Sequence, residues 1–252
     1  MRSTIKLLLP VLLLLPDTSL LAQSNRKQDL GLWTWVQVEK NMKKGQYFEF
    51  QYQIRFTENI SQFDRSNLYF IYGKTFFRKR LQAEALYQLN LNHVADQHTL
   101  FLGLTYKQKL KGPFALYFRS AVQYIRNDFT GVPAIDKPYI EWRNRVRFIY
   151  KMNNLFSTSV SGEPYLRFNN VDRGRLSRAR FVWNFNYRFN KFQTFSVFYL
   201  IQPDIISSNP KTNYVIGLTY HVRLPNKKKE RKKFFNPKSL STDTDYEQDT
   251  QN

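Results

Sequence analysis

The sequence predicts an all-β protein, an antiparallel transmembrane up-and-down β-barrel of 10–12 strands. Three observations carry that prediction. Apolar and polar residues alternate with a period of two along most of the 252-residue chain, and only a strand places i, i+2 and i+4 on one face. The alternating segments run 10 to 15 residues, against ~5–6 for an ordinary strand and ~9–11 for a tilted strand that crosses a bilayer. The connections alternate between short and longer, as the turns and loops of outer-membrane barrels do.

Residues 1–23, MRSTIKLLLPVLLLLPDTSLLAQ, come first and are read as a secretory signal peptide. Arg2 and Lys6 form a basic start, Leu7 to Leu15 an apolar core, and Ala22 a cleavage position. The apolar run falls well short of the ~20 residues of a spanning helix. The expected organisation is a signal peptide over 1–23, a barrel over 24–224, and a disordered charged tail over 225–252, in the bacterial outer membrane after cleavage near Ala22.

The strand segments follow in order: 30–40, 46–57, 67–77, 81–92, 98–109, 113–126, 139–151, 154–168, 177–189, 192–202 and 213–223. In 46–57 Phe48, Phe50, Tyr52, Ile54 and Phe56 oppose Glu49, Gln51, Gln53 and Arg55. In 98–109 Leu100, Leu102, Leu104 and Tyr106 oppose Thr99, Gly103, Thr105 and Lys107. In 139–151 Trp142, Val146, Phe148 and Tyr150 oppose Glu141, Arg143, Arg145 and Arg147. Short connections are expected at 41–45, 78–80, 111–113, 152–154 and 190–191, and longer ones at 58–66, 93–97, 127–138, 169–176 and 203–212. Eleven segments are an odd number where bacterial single-chain barrels are even. Either one strand is miscounted or residues 24–40 run inside the lumen. A soluble periplasmic barrel that binds lipid, with the apolar faces turned inward, is the alternative architecture.

The formal charge is +20, with no cysteine, which excludes disulfides, thiolate metal sites and cysteine nucleophiles. The first 23 residues contribute +1 and the last 28 contribute +2, leaving +17 in the body. Such an excess predicts anionic partners: outer-membrane lipids, lipopolysaccharide and small anions. An export signal argues against nucleic acid. If the apolar face meets lipid, the other face lines the lumen. The lumen-lining candidates are Arg55, Arg119, Glu141, Arg143, Arg145, Arg147, Glu163, Arg167, Arg178, Arg180 and Arg188, with Arg223, Glu49 and Glu84 beside them. Guanidinium pairs bidentately with carboxylate, so these residues can fill a narrow barrel with ion pairs. Rings of arginine also select anions in pores. Both readings stand.

No catalytic constellation and no cofactor motif emerges, so the chain is not read as an enzyme. A lipid-modifying barrel enzyme is the remaining alternative. The three histidines are His93, His98 and His221, and His93 with Asp96 and His98 is the one candidate metal cluster. In the tail, Lys227 to Lys233 with Phe234 and Phe235 fit an anionic surface.

The ordered set LWTWVQVEK, EFQYQIRF, EWRNRVRF, GEPYLRFN, LSRARFVWNFNYRF and FSVFYLIQ, over roughly residues 30 to 223, resembles the bacterial family DUF2490, a domain of unknown function. The resemblance implies an outer-membrane barrel and assigns no biochemical role.

Overall fold

In a computed structural model of the chain, which describes residues 27–92, 96–128, 138–168, 175–205 and 211–225, eleven strands form one closed barrel. They are β1 (Lys27–Asn41), β2 (Gln46–Thr57), β3 (Gln62–Phe76), β4 (Leu81–Leu91), β5 (Asp96–Lys109), β6 (Phe114–Asp128), β7 (Tyr139–Lys151), β8 (Phe156–Phe168), β9 (Arg175–Asn190), β10 (Gln193–Pro203) and β11 (Lys211–Leu224). Each pairs antiparallel with its sequence neighbour. The first and last strands then pair with each other in parallel, from Lys27 against Lys211 to Lys40 against Leu224. The odd count is therefore real. β1 is a wall strand and does not run inside the lumen, because an odd up-and-down barrel closes only through one parallel pair.

One rim carries the connections 42–45, 77–80, 110–113, 152–155 and 191–192, and is called the turn rim below. The other, the loop rim, carries 58–61, 92–95, 129–138, 169–174 and 204–210. The expected long connection at 58–66 is thus a four-residue turn. β3 begins at Gln62 because the register slips between Arg55 and Phe56: Arg55 faces Arg65 and Phe56 faces Phe63, so Asp64 is an extra, bulged residue. The slip breaks the two-residue alternation and hides the start of the strand. Glu58, Asn59 and Ile60 all take positive φ (51°, 55° and 68°) in this turn, an unusual conformation for β-branched Ile60. Residues 1–23 and the tail beyond Pro225 lie outside the described residues.

The alternation sorts the side chains. Outward positions carry the large apolar groups, with Leu102 68% exposed, Leu100 56% and Phe181 55%. The apolar faces do not turn inward, so the inverted soluble arrangement is not the one adopted. Inward positions carry Arg, Glu, Gln, Asn and Ser, with an apolar cluster of Trp33, Phe198, Leu200 and Val215. The inner wall is packed tightly where an aromatic ring lies over a glycine of the next strand. The Phe198 ring covers Gly217 in β11, where a Cβ would stand 1.7 Å from it. The Tyr47 ring covers Gly73 in β3, at 2.1 Å. Gly162 instead leaves a Cβ 3.7 Å from its nearest neighbour. Gly217→Ala and Gly73→Ala are therefore each expected to destabilise by about 1–3 kcal/mol through overpacking, whereas Gly162→Ala is expected to be near neutral. Equilibrium urea unfolding of the detergent-folded barrel measures the difference, and Phe198→Leu is expected to rescue Gly217→Ala.

Candidate functional site

β7 sets out the site. Its inner face reads Glu141, Arg143, Arg145, Arg147 from the loop rim toward the turn rim. The register brings Gln123 and Arg167 beside Glu141, Tyr165 beside Arg143, Arg119 beside Arg145, and Tyr117 and Ser161 beside Arg147. On the far side of β8, β9 places Arg180 beside Glu163 and Arg178 beside Tyr165.

Two buried carboxylates organise these cations. Glu141 is fully buried; its Oε2 accepts from Arg178 Nη2 at 2.7 Å and Gln123 Nε2 at 2.5 Å, and its Oε1 accepts from Ser177 Oγ at 3.3 Å. Arg167 Nε stands 3.7 Å from Oε1. Glu163 is 4% exposed. Its Oε1 accepts from Arg119 Nη2 at 2.5 Å and from Arg143 Nε at 3.2 Å, and its Oε2 accepts from Arg143 Nη2 at 3.2 Å and Tyr165 Oη at 3.3 Å. Arg143 also donates from Nη1 to Gln123 Oε1 at 3.0 Å, which ties the two carboxylates into one network.

Aromatic rings hold the same cations from their other faces. Tyr165, 1% exposed, has the guanidinium carbons of Arg178, Arg143 and Arg180 at 4.4, 4.5 and 5.3 Å from its ring centre. Arg119 and Arg143 lie over Phe101 at 5.3 and 5.7 Å. Arg55 stacks on Trp33 at 4.1 Å and donates from Nε to Gln53 Oε1 at 2.8 Å. Arg180 donates to Gln202 Oε1 from Nε at 3.0 Å and from Nη2 at 2.8 Å. Such stacking stabilises a cation most where water is excluded. Asp204, just beyond β10, has its carboxyl raised by burial against the pull of Arg178 and Lys211.

Arg145 and Arg147 differ from the rest. Neither has a hydrogen bond or an ion pair from its side chain among the described residues, and both remain partly open to solvent. Arg188 is exposed near the turn rim, away from both carboxylates.

A separate acidic group lies near the turn rim across the barrel. Glu39 accepts from Arg223 Nε at 2.9 Å and is 3.4 Å from His221 Nε2. Glu49 accepts from Gln51 at 2.6 Å, and Glu84 accepts from Tyr47 and Gln82, each at 2.5 Å. Lys107 reaches Gln82 and does not form an ion pair with Glu84. His98 faces outward, its Nδ1 2.7 Å from Tyr87 Oη, and His93 lies outside the described residues. No group of three or more His, Cys, Asp or Glu fit for a metal occurs among the described residues.

Sequence reasoning missed the uncharged partners: Tyr165, Trp33, Gln53, Gln123, Gln202 and Ser177. A signal for several of them was present. Gln53 and Tyr165 stand two residues from Arg55 and from Glu163 and Arg167 on the same strand face.

A closed β-wall, apolar outside and lined inside with stacked and paired guanidinium groups, defines a β-barrel protein with a charged interior. The chain belongs to the family described as protein of unknown function (DUF2490), which matches residues 30–230. Among solved structures, that of the NanC porin in a rhombohedral crystal form is similar, with a TM-score of 0.46 and 9% identity over 69% of this chain and 86% of that one. No curated protein matches the chain in sequence.

Removing one partner of a buried ion pair leaves an uncompensated charge and costs about 3–5 kcal/mol. Glu163→Gln, which strands Arg119 and Arg143, is expected to fall in that range in urea unfolding. Arg145→Gln removes a charge that has no partner and is expected not to lower stability.

Proposed function

We propose that the chain is an integral outer-membrane β-barrel with a structural or passive-transport role, and that its polar interior is a lumen stoppered toward the loop rim. The observation that carries the membrane reading is the outer surface. Large apolar side chains cover it, and the outward charged groups Lys40, Lys74, Asp96 and Arg126 lie close to strand ends. The shortest strands, β4 and β10, have 11 residues, enough to cross a hydrocarbon layer when tilted. The outward indoles support the same reading. Trp142 Nε1 donates to Ser120 Oγ and Trp183 Nε1 to Thr158 Oγ1, each at 2.8 Å. An indole N–H facing water needs no such partner, whereas one facing hydrocarbon does. The leader read over residues 1–23 would deliver the chain across the inner membrane.

The stopper reading rests on where the interior closes. The largest fully buried side chains, Tyr165, Gln53, Glu141, Val215 and Asn67, all belong to the loop-rim halves of their strands. Short turns face the periplasm in outer-membrane barrels, so the lumen would open to the periplasm and close toward the outside.

Leu102, at the middle of β5, tests the membrane reading. Arginine there is expected to cost about 2–4 kcal/mol in a bilayer, whereas on a water-facing wall it would cost almost nothing. Urea titration of Leu102→Arg in liposomes decides between the two. Membrane-associated protein is also expected to resist salt and urea extraction and to migrate as a heat-modifiable band; release by osmotic shock would defeat the reading.

A further inference from the structure

We infer that Arg145 and Arg147 form a binding site for a compact oxyanion of the phosphate type, open to the turn rim. The inference rests on the barrel's having an interior that water enters from that rim, and adds a ligand to it.

Of the cations on β6 to β9, Arg119 and Arg143 share Glu163, Arg178 and Arg167 share Glu141, and Arg180 is held by Gln202 and the Tyr165 ring. Both oxygens of Glu163 are already engaged, by Arg119, Arg143 and Tyr165. Arg145 and Arg147 follow one another on the same inner face, one pleat apart, with nothing of opposite charge within ion-pair distance among the described residues. Guanidinium groups confined in this way keep their charge, and a confined charge without a counterion is costly. A soluble anion supplies the missing partner.

The surroundings choose the kind of anion. Tyr117 and Ser161, directly beside Arg147 in the neighbouring strands, offer hydroxyl donors on the same wall. Two guanidinium forks and flanking hydroxyls suit an oxyanion with several acceptor oxygens better than they suit chloride. Glu39, Glu49 and Glu84 belong to β1, β2 and β4, so the carboxylates near the turn rim lie off β7 and repel an anion toward its arginines. The packed side chains toward the loop rim close the far end, so the site is a blind recess and not a point along a through-channel.

The test is isothermal titration of the detergent-folded barrel with inorganic phosphate, ionic strength being held constant with chloride. The folded barrel is expected to bind phosphate saturably. Arg145→Gln and Arg147→Gln are each expected to weaken binding at least 10-fold, and Arg147→Lys, which keeps the charge and loses the fork, to weaken it less. Arg65→Gln, at the loop rim beside Asp64, serves as the unaffected control. Heat-modifiability confirms that each variant is folded; should one glutamine variant not fold, the other and Arg147→Lys decide. No saturable binding by the unaltered chain, or equal binding in the folded glutamine variants, overturns the site. A barrel that binds phosphate yet accepts Leu102→Arg in liposomes without cost would sink the membrane reading and leave the oxyanion site standing.

Discussion

The structure depends on closure. A sheet with a free edge exposes a row of unpaired N–H and C=O groups, which in hydrocarbon have no partner and in water invite aggregation. Ten antiparallel pairings bring β11 to lie beside β1 in the same direction, and the parallel seam completes the ring. Parallel pairing is slightly weaker per residue, and the seam is correspondingly long, with register from Lys27 to Lys40. Its inner side is reinforced by the Trp33, Phe198, Leu200 and Val215 cluster, in which Gly217 admits the Phe198 ring. The interior follows from this ring, because only a closed wall brings Arg180 on β9 over Trp33 on β1.

Within the ring, arginine does two kinds of work. Where a carboxylate or an aromatic face is supplied, as at Glu141, Glu163 and Tyr165, guanidinium groups fill space like a core while remaining charged. That arrangement lets a narrow barrel have a solid interior without apolar residues on both faces, which would erase the difference between inside and outside. Where the carboxylates are exhausted, at Arg145 and Arg147, the same residue type stands on the inner face without an ion-pair partner among the described residues. Paired and unpaired guanidinium groups are therefore two ends of one gradient along β7, running from Glu141 to Arg147.

Much of this was legible in the sequence. Strand identity, face and approximate limits follow from alternation alone, and the eleven segments read from the chain correspond to the eleven strands. The start of β3 was not legible, since the Asp64 bulge shifts the phase of the pattern. The brevity of the connections at 58–61 and 92–95 was lost with it or through strand ends that run past their apolar residues. Sequence could count more arginines than glutamates in the interior, but not say which were left over. That depends on which guanidinium groups reach the carboxylate oxygens: Arg119 and Arg143 occupy Glu163, and Arg145, beside Arg119, goes without. The parallel seam was also out of reach, because nothing local to β1 or β11 encodes a partner at the other end of the chain.

That seam carries a kinetic consequence. β1 is the first strand to be synthesised and β11 the last, and the Lys40 ammonium donates to the Pro225 carbonyl across 185 residues of chain. Such contacts have the highest loop-closure cost in the molecule and form late. Until they form, β1 and β11 both remain bare edges, so the growing sheet has to be escorted or inserted as an open ribbon. The ring becomes a single cooperative object only when its two ends find each other.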